Sequence, residues 1–428
     1  MFYLMIFAFS LFANSQETIL YVQLEERNNV YYIIDSEVPF TGKSESYYEN
    51  GQKKEEHNYV DGKWHGLRTQ WHENGQKKRE TTHKDGVRHG LWTEWYENGQ
   101  KKTESNNKDG KLHGLDTTWY ENGQKKREAT YKDGKIHGLA TRWYKDGQKY
   151  DEINWKDGKE HGLFIEWYHD GTKLAETNYK EGKRHGLETV YSSKYGGQKE
   201  EESNWKDEEK HGLATKWYKN GQKEEESNFK DGKLHGLQNT WYENGQKKSE
   251  GNYKDGKLHG MVNFWDENGQ KKQEGNYKDG KPHGPYTKWD EKGQKQEGNY
   301  KDGELHGLAT QWYENGQKWV HLSYKDGKEH GLVTKWYENG QKKQEGNYKD
   351  GKPHGPYTSW YDSGQKAEET NYKDGEPHGL HTSWYENGQK MIEGNYKDGK
   401  LHGMVNFWDE NGPKLERYFE NGELVPKP

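Results

Sequence analysis

Three features of the sequence predict an all-β fold, an elongated single-sheet antiparallel meander of β-hairpins with a 24-residue period. The first is a His-Gly pair that recurs fifteen times from His65 to His402, stepping by 24 residues except for 26 between His185 and His211 and 23 between His283 and His306. Self-similarity at a fixed period of this size is the mark of a repeat architecture. The second is a pair of glycine turns in each unit, Glu-Asn-Gly-Gln and Lys-Asp-Gly-Lys, separated by short aromatic-bearing segments. Asn-Gly and Asp-Gly between such segments are hairpin signals, because glycine takes positive φ without steric cost, and no run between turns reaches helical length. The third is a Trp six residues after the repeat His in 14 of the 15 units, Tyr191 being the exception.

Within one unit the geometry of the turn sets which side chains share a face. A three-residue loop with a bulged glycine brackets Glu243-Asn244-Gly245 between Tyr242 and Gln246 and pairs Trp241 with Lys247. Carried through the hairpin, it pairs Leu237 with Gly251 and predicts a single packing face of His, Leu or Met, Thr, Trp and the second-strand Tyr253. The same loop type is expected at Lys254-Asp255-Gly256. The other face then holds Lys, Glu, Gln, Asn and the Tyr that follows Trp.

Taken in order, residues 1–15 form an apolar run too short to span a bilayer, ending in Ala13-Asn14-Ser15, which predicts a cleaved secretory signal. Residues 16–40 hold two denser apolar runs, Thr18 to Val22 and Val30 to Ile34, and read as an N-terminal β cap over the first sheet edge. Residues 41–412 are the tandem repeats, the first one degenerate with Tyr47 in place of Trp. About 31 strands at roughly 4.8 Å spacing give an expected length on the order of 150 Å. Two irregularities stand out. Ser192-Ser-Lys-Tyr-Gly-Gly197 lengthens one first turn by two residues, with Glu208 in the glycine place of the second turn, where positive φ costs about 1 kcal/mol or more. Gly293-Gln-Lys-Gln-Glu297 lacks one Lys, so that strand is expected to absorb a change of parity. Residues 413–428 depart from the unit and read as a C-terminal cap, with Pro413 and Pro426 removing amide donors near the last edge.

The unit Trp-Tyr-Glu-Asn-Gly-Gln-Lys-Lys-x-Glu-Gly-Asn-Tyr-Lys-Asp-Gly-Lys-x-His-Gly resembles the MORN repeat variant of bacterial proteins labelled as YwqK-like antitoxins. The resemblance runs over about residues 38–424, and Pro39-Phe40-Thr41-Gly42 after the leader resembles the amino-terminal part of that family. It implies an elongated sheet used for protein or membrane contacts.

Composition narrows the function further. Lys plus Arg number 66 against 72 Asp plus Glu, a net charge of −6 with signs mixed throughout, so nucleic acid is disfavoured. Cysteine is absent, which excludes a disulfide framework and a lipid-anchored Cys. The fifteen repeat histidines lie one per unit, about 10 Å apart, too far to share an ion, so no metal or cofactor is expected. A surface that repeats itself lacks the asymmetric constellation of an enzyme. The expected function is a non-enzymatic exported scaffold that binds a protein partner or a membrane surface. The candidate binding-face aromatics are Trp217, Trp241, Trp265, Trp289, Trp312, Trp336, Trp360 and Trp384. A cell-envelope glycan binder is the alternative. An antitoxin-like neutralising partner of a toxin is a third reading, cytoplasmic if residues 1–15 are not a signal.

Overall fold

The computed structural model describes residues 17–410 and 414–428; the run 1–15 and Pro413 lie outside them. Chain contacts divide the protein into two compact units, Met1–Glu209 and Lys210–Pro428. Each is an open antiparallel meander in which the strands of the repeats pair with their neighbours in sequence, with no α-helix among the described residues. In the first unit Thr18–Leu20 runs parallel to the edge strand Gly42–Tyr47, and Leu24–Arg27 pairs with Val30–Ile33 as a separate hairpin. In the second unit the last hairpin pairs Leu415–Glu420 with Glu423–Val425.

The first turn of each repeat is the three-residue loop. The Tyr242 amide donates to the Gln246 carbonyl and the Gly245 amide to the Tyr242 carbonyl, both at 2.9 Å, with Gly245 at φ +82°. The second turn differs from expectation. Lys254 pairs directly with Lys257, and Asp255 (φ +52°) and Gly256 (φ +82°) form a two-residue type I′ turn. Asp tolerates the left-handed region better than most residues, which makes the shorter loop available.

The predicted division of faces also fails, for one geometric reason. Trp241 pairs with Lys247, but Thr240 pairs with Ser249, so Lys248 is a bulge residue with no partner. That single extra residue shifts everything beyond it. Leu237 lies opposite Asn252 rather than Gly251, and Tyr253 lies opposite Gly236. By strand alternation Leu237, Asn239 and Trp241 share one face, while Gln238, Thr240, Gly251 and Tyr253 share the other.

The tighter packing is on the Tyr253 face. A Cβ at Gly251 would meet Leu258 and Val262 within 3.5 Å, and at Gly275 it would meet Tyr286 at 2.9 Å. Val262, Val333 and Val405 are buried there, and Val320, Leu322 and Val333 form a cluster with Tyr324 and Tyr348 against it. A second bulge lies at His259-Gly260: Gly251 pairs with Val262 and Tyr253 with Leu258, leaving His259, Gly260 and Met261 opposite Asn252, with Gly260 at φ +94°.

The irregular units follow from the same geometry. The strand after Trp289 absorbs no change of parity, because the missing residue is the bulge itself: Trp289 pairs with Lys295, Lys288 with Gln296 and Thr287 with Glu297 without a shift. The longer turn extends its hairpin by one pair, Ser192 with Gln198. Glu208 does sit at φ +77°, but its carboxylate accepts from the Arg184 amide and from Arg184 Nε, the latter at 3.0 Å.

Candidate functional site

Each of the eight candidate tryptophans is the last residue of its strand and is partly buried. The indoles are linked through lysines. Lys223 lies 5.8 Å over Trp241, Lys247 5.7 Å over Trp265, Lys295 5.0 Å over Trp312, Lys318 6.0 Å over Trp336, Lys342 5.7 Å over Trp360 and Lys366 5.8 Å over Trp384. In each case the lysine comes from the preceding repeat. Four of these lysines also pair with the glutamate three residues on, as in Lys342–Glu345 at 2.7 Å and Lys366–Glu369 at 3.0 Å, whereas Lys295 pairs with Glu297 and Lys318 is followed at that place by His321. Near Trp289 the row is interrupted: Lys271 lies 5.9 Å over Trp265 in its own repeat. Trp217 closes the strand Glu209–Trp217 at the start of the second unit. The ladder is thus a Trp–Lys–Glu network, in which cation–π contacts occupy part of each indole face.

Two further ladders tie the first turns together. The phenol of Tyr218 donates to the Trp241 carbonyl and that of Tyr242 to the Trp265 carbonyl, and Tyr337 and Tyr361 repeat the bond to Trp360 and Trp384. Asn244 Nδ2 donates to the Glu267 carbonyl at 2.8 Å, while its Oδ1 accepts from the Gln246 amide at 2.9 Å. The Tyr after Trp, read from sequence as an outward residue, is therefore a structural donor. Burial raises its phenol pKa at Tyr218, Tyr313 and Tyr337, as expected for a hydroxyl withdrawn from water.

At the opposite end of each hairpin the repeat His faces the turn Asp of its own unit, His137 Nδ1 to Asp157 Oδ1 at 3.2 Å and His235 to Asp255 at 3.4 Å. Among the described residues no group of three or more His, Cys, Asp or Glu converges on one point.

What the sequence reading missed is the exposed row beside the Trp ladder. The residue two after the His, expected in the core, is partly exposed in twelve of the fifteen repeats: Leu67, Leu91, Leu115, Leu139, Leu163 and Leu187 in the first unit, and Leu213, Leu237, Met261, Leu308, Leu332 and Leu380 in the second, are 38–52% exposed. The signal was present, since an apolar residue recurs there in a chain only 27% hydrophobic, but it was assigned to packing.

The MORN repeat variant model matches twelve segments, 40–61, 64–85, 88–109, 112–133, 160–181, 210–231, 234–255, 258–279, 305–326, 329–350, 353–374 and 377–398, and the MORN repeat model matches 128–149, 250–261, 274–285, 345–356 and 393–404. The chain belongs to the MORN repeat variant family. In the repeats from His65 on, each MORN-variant segment starts one residue before the repeat His, holds the Trp and the first turn, and ends on the acidic residue of the second turn, as 234–255 does at Asp255. No curated protein matches the chain. Among solved structures, chains described as TcdB2-TccC3-Cdc42 and as TcdB2-TccC3 are similar over 88% and 90% of this chain, at 10% and 9% identity and TM-scores of 0.16 and 0.13. This MORN-variant chain spans about a quarter of the length of those chains, 25% and 28%.

Proposed function

We propose that the protein is a non-enzymatic, exported scaffold whose Leu–Trp face binds a protein partner. The observation that carries this reading is the exposed leucine row. A leucine or methionine left 38–52% exposed recurs in nearly every repeat of each unit, and rows of exposed apolar groups rimmed by polar ones mark interaction surfaces. The flanking Trp, Lys and Glu supply the aromatic anchors and paired charges that favour a protein contact over a purely apolar one. Repeats tolerate this because each is held by its neighbours and needs no central core. Export rests on residues 1–15 and predicts a mature protein beginning at Gln16.

The test is a photo-crosslinking residue placed at Leu237 or at Thr240 in the full chain, expressed in its source cell. An adduct with one defined protein from Leu237, lost in a variant carrying Leu213→Asp and Met261→Asp, is the expected result. Equal adducts from Thr240, on the other face, or adducts unchanged by the aspartates would overturn it.

A further inference from the structure

One hairpin of the first unit builds an aromatic, arginine-edged cleft that its neighbours lack. Its bulge residue is Tyr150, where Lys54, Lys78, Lys102 and Lys126 stand in earlier repeats. In three of those hairpins the lysine covers the first-turn tyrosine, Lys54 over Tyr48, Lys102 over Tyr96 and Lys126 over Tyr120, the last at 5.7 Å. Here Tyr150 instead meets Tyr144 edge to face, with centroids 5.1 Å apart at 72°, and Arg142 lies 5.0 Å over the Tyr150 ring. Between this hairpin and the preceding one opens a cleft of about 510 Å³, walled by Tyr120, Trp143, Tyr144 and Tyr150 and edged by Lys126, Arg127 and Arg142. Its size suits a small-molecule ligand.

The charges in the cleft are unequal. Arg142 is held by Asp151, with Nε 2.9 and 2.8 Å from the two carboxylate oxygens, and Asp151 is buried. Arg127 is held by Asp116 at 3.0 Å and also donates to the Tyr131 hydroxyl. Lys126 has no carboxylate partner among the described residues. Two neutralised guanidinium groups thus offer fixed N–H donors, and one ammonium remains uncompensated.

From this arrangement we propose that the cleft binds an acidic sugar, a pyranose ring bearing a carboxylate. Aromatic walls take the C–H faces of a sugar ring, the guanidinium N–H groups suit its hydroxyls, which accept as well as donate, and Lys126 suits the carboxylate. A quaternary ammonium ligand, which aromatic cages otherwise favour, is disfavoured by the uncompensated Lys126 ammonium and finds no free carboxylate among the described residues there. A nucleotide phosphate would meet a single free cation and no cluster of backbone amides. Arg127 and Arg142 belong to the face opposite the leucine row and Trp143 to the Leu–Trp face, so the cleft sits at the turn end of the strands and shares one side chain with the protein-binding surface.

The experiment is calorimetric titration of the full chain with a galacturonate oligosaccharide and with the neutral galactose oligosaccharide of the same length. The expected result is saturable binding of the acidic sugar, weakened at least about tenfold by Tyr150→Lys and spared by Tyr150→Phe. Tyr150→Lys installs the residue that sister hairpins already carry, so the fold is retained, and an unchanged far-UV spectrum checks this. Lys126→Gln should bring the acidic and neutral sugars to within about twofold of one another. The proposal is overturned if the wild-type chain shows no saturable binding, if Tyr150→Lys binds as tightly as wild type, or if a polyglutamate peptide binds as well with the same dependence on Tyr150.

Discussion

The phenolic oxygen of Tyr242 donates to the carbonyl of Trp265, 23 residues further on and 2.9 Å away. This bond crosses from one repeat to the next at the first-turn end, where each strand has just ended in Trp. It supplies a donor to a carbonyl at the end of its strand, and it fixes the ring of Tyr242 against the neighbouring turn.

Removing that one oxygen should be felt locally. Tyr242→Phe is expected to lower stability by about 1 kcal/mol, the usual net worth of such a bond, with a possible extra cost if the carbonyl is left dry. Hydrogen exchange should quicken at the turns after Trp241 and Trp265 and stay unchanged several repeats away, since a repeat contacts only its neighbours. Uniform loss of protection along the unit would contradict the local account.

The bulge predicts which residue of a strand is dispensable. Deleting Lys248 should leave a folded protein with a melting temperature close to that of the wild type, because the Trp289 hairpin already lacks this residue and keeps its pairing. Deleting Asn252 should be severely destabilising, since closing the bulge then puts Glu250 in the buried place of Gly251, against Leu258 and Val262. Equal losses for the two deletions would rule out the assignment of Lys248 as the unpaired residue.

At Glu208 two effects of similar size oppose one another. Left-handed backbone disfavours any side chain by about 1–2 kcal/mol, while the carboxylate's bonds to Arg184 return a comparable amount. Glu208→Gly should therefore change stability by less than about 1 kcal/mol. Glu208→Ala keeps the strain and loses the bonds, and should cost about 1–2 kcal/mol in chemical denaturation. A glycine variant much less stable than the alanine variant would refute this balance.

Acid should loosen the amino-terminal repeats first. Burial holds the His83 imidazole down at about 4, so the folded state keeps it neutral while the unfolded chain takes up a proton near 6.5. Stability is then lost as pH falls from about 6.5 to 4, by a few kcal/mol at most. The bond from His57 holds Glu55 at about 2, so its contribution is present above about 4.5 and disappears below that. His83→Tyr places there the residue that most sister repeats carry, and the protection factors of Lys77–Lys84 against hydrogen exchange, corrected for the intrinsic rate at each pH, should in this variant be flat between about pH 6.5 and 4.5. An unchanged pH profile would remove His83 as the source.

The hairpin period, the strand ends at Trp and the three-residue loop at Asn244-Gly245 were all legible in the sequence, because turn chemistry is local and repeated. The faces were not. Lys247-Lys248 reads as ordinary alternation, and nothing in two adjacent lysines announces that the second is unpaired; the one clue was the shorter strand at Gly293–Glu297. The tight face was hidden for a different reason. The position held by Val262 is filled elsewhere by Ala140, Asp116, Gln238, Phe164 or Tyr286, so no composition marks it, and the size of its occupant is balanced by a small partner such as Gly275. The recurrent Leu, by contrast, looked like core because it is apolar, and only the register shows it open. Tyr150, singular among its counterparts, was visible as a substitution but had no meaning until the bulge gave it a place.

That unpaired place has a consequence for how such a chain can diversify. A residue left unpaired across its own hairpin is less constrained in identity than its paired neighbours, even where its carbonyl accepts from the next strand, as that of Met391 does from the Trp408 amide. The positions equivalent to Lys248 hold Lys54, Tyr150, Leu174, Glu200, Glu224, Trp319, Ala367 and Met391, and one hairpin has dispensed with the residue altogether. Each hairpin therefore carries one interchangeable letter on an invariant frame. Copying a repeat multiplies the frame, and altering a single codon then gives the copy its own label, so new recognition can arise without any new folding problem to solve.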